Sequence, residues 1–193
     1  MKNMNVPNQL TIIRIILTPI FLAVFLSNIQ HHYLWGLIIF AIGSFTDFLD
    51  GKIARKKGIV TVFGQLADPV ADKILTTAAL LAFMSMGLCN IWIVMLVLTR
   101  EFAIASVRMI AAAGGVVIPA NIWGKIKTVS QMTFTILIML LGEAWEIISN
   151  TNAILFAKLP DLSLISNGLL WITAILTIIS GVIYLNDSKK IID

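Results

Sequence analysis

The chain has 193 residues, 59% of them hydrophobic and 12% charged, with a net charge of +4 and a single cysteine. Soluble domains of this size carry about a quarter charged residues, so one globular core cannot hide this apolar surplus and lipid becomes the expected solvent. Cys89 alone excludes an internal disulfide framework and a cysteine-rich metal site, while the basic balance suits nucleic acid or anionic lipid until its charges are placed.

Residues 1–8 are short and polar, and the apolar run that follows contains Arg14 and Pro19 with no small-residue cleavage site. It reads as a retained first span, not a removed signal peptide. A transmembrane helix needs about 20 mostly apolar residues, and six segments approach this: 9–29, 33–54, 67–88, 91–113, 123–146 and 163–186. Polar or glycine- and proline-containing stretches separate them, and no stretch alternates as a barrel strand would. The sequence therefore predicts an all-α integral membrane protein, one domain over 1–193 with six transmembrane helices.

Six spans place both termini on one side. Lys2, Arg14, Lys52, Arg55, Lys56, Lys57, Lys73, Lys125, Lys127, Lys189 and Lys190 fall toward that side, and Lys158 toward the other. By the positive-inside rule the termini are cytoplasmic, and the basic residues border the inner leaflet instead of lining a nucleic-acid groove. Trp35, Trp92, Trp123, Trp145 and Trp171 mostly sit near span ends, as an aromatic belt does. His31 and His32 fall in the first outer turn and read as loop residues, since no carboxylate or cysteine is near them in sequence.

Four of the ten acidic residues lie within 47–72. Asp47 and Asp50 are three apart and Asp68 and Asp72 four apart, so each pair shares a helix face. With a turn around residues 56–61, the second and third spans become antiparallel neighbours whose cytoplasmic ends can bring the pairs face to face. Four carboxylates at mid-bilayer would cost on the order of 10 kcal/mol, less near the interface. Protonation or cations must relieve that repulsion. Hard oxygen donors at close quarters select Mg²⁺, Mn²⁺ or Ca²⁺, and paired ions are a device of phosphoryl transfer. Gly51 and Gly64 remove side chains where a ligand approaches backbone.

The run Asp47-x2-Asp50-Gly51-x2-Ala54-Arg55-x8-Gly64-x3-Asp68-x3-Asp72 resembles, at every fixed position, the signature of the CDP-alcohol phosphotransferase family. The resemblance implies a site of two Mg²⁺ or Mn²⁺ ions held by Asp47, Asp50, Asp68 and Asp72, with Asp72 as general base on the acceptor hydroxyl. It also implies CDP-alcohol contacts from Gly51, Ala54, Arg55, Thr61 and Gly64. The opening Pro7-Asn8-Gln9-Leu10-Thr11-x2-Arg14 resembles the family's first-span nucleotide-binding segment, which adds Asn8, Leu10 and Thr11. That opening, together with Thr99-Arg100-Glu101 and Arg108 in the fourth span, is similar to bacterial members that take glycerol 3-phosphate as acceptor.

The implied reaction joins CDP-diacylglycerol to glycerol 3-phosphate and releases CMP. Related members use inositol phosphate, serine or phosphatidylglycerol as the acceptor. The implied setting is a multi-pass protein of the bacterial cytoplasmic membrane, a homodimer, with its active site facing the cytosol. Intramembrane arginines usually face a bundle interior, and a phosphate-bearing acceptor offers a guanidinium a bidentate anion. Arg100, Arg108 and Lys127 are therefore candidate acceptor-phosphate residues, with an internal ion pair to Glu101 left open as the alternative for Arg100. Lys125 reads as an inner-leaflet anchor, and Glu143 and Glu146 as solvated residues at the outer end of the fifth span. Two other classes also use membrane aspartates. Prenyltransferases ordinarily need more spans, and cation transporters place such sites near the midplane, whereas these aspartates adjoin a basic turn.

Overall fold

In a computed structural model of the chain, the backbone is described for residues 6–57, 62–115, 118 and 121–192, and side chains for 9–46, 71, 73–115, 118 and 121–189. Among these residues all regular structure is helical: α1 (Val6–Phe25), α2 (His32–Lys57), α3 (Val62–Ser85), α4 (Ile91–Ala113), α5 (Ile122–Thr151), α6 (Ala153–Phe156) and α7 (Leu162–Ile192). Six of the seven correspond to the six apolar segments. The short α6 falls in a stretch too polar for the sequence to mark as an element, where Asn152 caps it by accepting the N–H of Leu155. By length and composition α5 and α7 can each cross a membrane. Large apolar side chains also face outward, Phe102, Met109 and Leu164 among them, each about 70% exposed or more. That character suits a membrane protein, whose outer surface meets lipid.

The chain forms two compact units, Met1–Ala82 with Met139–Lys158, and Phe83–Ile138 with Leu159–Asp193. In the first unit α1 packs along α2. Phe21, Phe25 and Phe40 are fully buried; Phe21 stacks on Phe25 at 5.3 Å, and Tyr33 meets Phe25 edge-on at 5.4 Å. Such close aromatic packing requires missing side chains nearby. A Cβ at Gly36 would strike the Phe25 ring, and one at Gly142 the Tyr33 ring.

The start of α2 departs from the sequence expectation. His31, in the left-handed region at φ 61, donates its backbone N–H to Glu146 Oε1 at 3.0 Å, and its Nδ1 meets Glu143 Oε1. Glu143 Oε2 accepts the N–H of Leu34 at 3.1 Å. His32 Nε2 lies 3.8 Å from Glu146 Oε2. Glu143 is buried, so it is not a solvated residue of an outer end, and the histidines are not without carboxylates. The physical reason is the need of the first helical N–H groups for acceptors. Here they come from α5, and negative charge is favourable at that helix end.

In the second unit α4 packs against α7. Asn90 begins α4 by accepting the N–H of Trp92 at 3.0 Å, and Gly115, at φ 76, follows its end. Ser163 and Ser166 donate to the carbonyls of Gly87 and Leu88, at 2.9 and 2.7 Å. These bonds tie the first turns of α7 to the turn before α4. Along α7, Thr173, Thr177, Ser180, Tyr184 and Ser188 are all buried at helical spacing. This polar stripe lies within an otherwise apolar helix.

Candidate active site

The signature residues lie on two consecutive helices of the first unit. Asp47, Asp50, Gly51, Ala54 and Arg55 belong to the last turns of α2, and Gly64, Asp68 and Asp72 to the first turns of α3. Both stretches are continuous helix. The backbone thus sets Asp47 with Asp50, and Asp68 with Asp72, each pair on one face. Their side chains, Thr61 and the 58–61 connection lie outside the described residues. Asn8 occupies the first turn of α1, with its side chain also outside them. Leu10 is half-buried, while Thr11 and Arg14, one turn apart on α1, are buried.

A second constellation is built in the other unit from α4, α5 and α7. Glu101 Oε1 accepts from Arg100 Nη1 and from Lys127 Nζ, both at 2.8 Å. The ion pair left open for Arg100 therefore exists, and it is shared. Lys127, among the candidate phosphate residues, is nine-tenths buried and more, with its ammonium turned toward Glu101. Two glycines make room for Arg100: a Cβ at Gly181 would lie 3.1 Å from its Cγ, and one at Gly124 3.3 Å from its Nη2. Arg100 Nε is buried with no hydrogen bond among the described residues. Two cations thus share one carboxylate, with all three side chains largely enclosed.

Arg108, two helical turns beyond Glu101, remains exposed. Its Nε donates to the Tyr184 hydroxyl at 3.1 Å, and its Cζ lies 5.3 Å from the centre of that ring. Lys125 is exposed.

The family of the chain follows from comparison with known proteins. The model of the CDP-alcohol phosphatidyltransferase family matches residues 4–179. The chain belongs to this family. Among its relatives is the CDP-diacylglycerol–glycerol-3-phosphate 3-phosphatidyltransferase of Bacillus subtilis, 36% identical over 189 residues, covering 92% of this chain and 91% of that one. The enzyme of the same name from Rickettsia felis is 36% identical over 186 residues, covering 96% of each chain. That of Pseudomonas fluorescens is 32% identical over 142 residues, covering 70% of this chain and 72% of its own.

Tyr184 and the bridging position of Glu101 emerge only from the structure. The stripe Thr173, Thr177, Ser180, Tyr184 and Ser188 carried a usable signal for the first, because polar residues at helical spacing in an apolar span must face protein. For the second, only the proximity of Glu101 to Arg100 was visible; Lys127 arrives from another helix.

Proposed function

We propose that this chain transfers the phosphatidyl group of CDP-diacylglycerol to sn-glycerol 3-phosphate, giving phosphatidylglycerophosphate and CMP. The carrying observation is the unbroken aspartate signature across α2 and α3, in a chain 36% identical over nine-tenths of its length to enzymes named for this reaction. The family match over residues 4–179 supports reading 1–193 as one functional domain. Its setting is a bacterial-type cytoplasmic membrane, with six spans, cytoplasmic termini and the site at the cytosolic face. Lipid tails then stay in the bilayer while CMP and glycerol phosphate exchange with cytosol. A homodimer is the expected assembly.

Asp47, Asp50, Asp68 and Asp72 supply hard oxygen donors in two helically spaced pairs, a donor set that fits divalent cations such as Mg²⁺ or Mn²⁺. These four aspartates would hold two such ions, which would supply positive charge opposite the diphosphate and the departing phosphate. Asn8, Leu10, Thr11, Gly51, Ala54, Arg55, Thr61 and Gly64 hold the CDP-alcohol. Asp72 orients the acceptor's terminal hydroxyl and takes its proton. A new bond forms from that oxygen to the phosphorus carrying diacylglycerol, and the bond from this phosphorus to the CMP oxygen breaks. Asp72 contributes mainly through positioning, because a carboxylate next to cations is a weak base. Arg100, Arg108 and Lys127 receive the acceptor phosphate.

Purified protein given CDP-diacylglycerol, Mg²⁺ and one acceptor at a time tests this by CMP release. Release with glycerol 3-phosphate supports the assignment. Release only with inositol phosphate, serine or phosphatidylglycerol retires the acceptor and keeps the reaction class. Cation transport without CMP release retires the enzyme.

A further inference from the structure

We infer that Tyr184 is a positioning residue that fixes the Arg108 guanidinium as an end-on fork for the phosphate of the acceptor, so that the site favours phosphomonoester alcohols over uncharged ones. This rests on the reading of Arg108 as an acceptor-phosphate residue.

The argument begins with donor counting. A guanidinium offers five N–H groups in one rigid plane, and it can grip a phosphate through its two terminal nitrogens or through Nε and one of them. Tyr184 removes the second option, because Arg108 Nε already donates to its hydroxyl oxygen at 3.1 Å. The two terminal amino groups make no hydrogen bond among the described residues, and the arginine is exposed. One edge is therefore open, and it is the end-on edge.

The ring sets the plane as well. With Cζ 5.3 Å from the ring centre, the Tyr184 ring attracts the cation and limits its rotation. Tyr184 is itself held: its side chain is buried and its carbonyl accepts from Ser188 Oγ at 2.7 Å. An exposed arginine ordinarily loses rotamer freedom when it binds an anion. Here much of that freedom is lost before the ligand arrives, and the held geometry suits a doubly charged, multi-oxygen phosphate.

Tyr184→Phe is the test, since it keeps the ring and its packing and deletes the acceptor oxygen. Purified in detergent, this variant should show about a three- to tenfold rise in KM for glycerol 3-phosphate, as expected when one hydrogen bond of ordinary net strength that orients the guanidinium is lost. KM for CDP-diacylglycerol and the melting temperature should stay at wild-type values. Arg108→Ala should raise the acceptor KM further, and adding Tyr184→Phe to it should bring no additional rise.

A wild-type acceptor KM in Tyr184→Phe, with Arg108→Ala still impaired, overturns the positioning role and leaves the acceptor reading intact. The positioning role is also overturned by a lowered melting temperature without a KM change, or by equal rises for both substrates. An unchanged acceptor KM in Arg108→Ala overturns the underlying reading, and this inference with it.

Discussion

The Lys127 ammonium and the Arg100 guanidinium meet the same oxygen of Glu101, each at 2.8 Å. The three side chains are at most 16% exposed, so water screens them little. Removing the shared anion from two enclosed cations is costly, about 3–5 kcal/mol for buried pairs in general. Glu101→Leu should therefore lower the melting temperature in detergent far more than Lys127→Met, which leaves Glu101 its bond to Arg100. Equal losses would show that the two cations do not depend on this carboxylate.

Asp72→Asn should reduce CMP release by about 10²-fold or more, since it removes both the positioning of the acceptor hydroxyl and its proton acceptor, with the melting temperature retained. Chelation by EDTA should abolish release from the unmutated chain, and added Mg²⁺ or Mn²⁺ should restore it. Turnover that survives full chelation would remove the cation from the mechanism.

Cys89 lies in the turn between α3 and α4, where burial pushes its thiol from the ordinary 9.0 up to about 12. A raised thiol value means that the unfolded chain gives up this proton first. The associated stability is fully present below about pH 9 and fades as pH climbs toward 12. Between pH 6 and 8 the folded protein should resist maleimide, and labelling should appear once heat or a denaturing detergent such as dodecyl sulfate unfolds it. Ready labelling of the native protein would contradict the burial of this thiol.

Two glycines on long helices should respond in opposite directions to alanine. At Gly142 the new Cβ would meet the Tyr33 ring, which is itself packed against Phe25. Gly142→Ala should destabilise by about 1–3 kcal/mol, the range for overpacking. Gly168 on α7 has nothing within 4 Å of such a carbon. Gly168→Ala should stabilise by about 0.5–1 kcal/mol through helix propensity. Thermal melts of both variants check the contrast.

The helices were legible in the sequence because long apolar runs leave the backbone no other way to satisfy its hydrogen bonds in lipid. The aspartate pairs on α2 and α3 were legible for a related reason, since helical spacing alone puts each pair on one face. Partnerships between helices were not. Arg108 finds Tyr184 at a separation of 76 residues, and Lys127 finds Glu101 at 26; no local pattern encodes either. Glu143 was misread because a carboxylate near a span end is ordinarily solvated, whereas this one serves as a cap for a different helix.

That cap has a consequence for biosynthesis. The Leu34 amide waits for an acceptor 109 residues further along the chain, so the hairpin of α1 and α2 is synthesised before the residue that completes its connecting end. Translation must reach α5 before the polypeptide can complete a junction that its first fifty residues begin. A chain cut short before residue 143 would lack both carboxylates and leave the His31 and Leu34 amides without these acceptors.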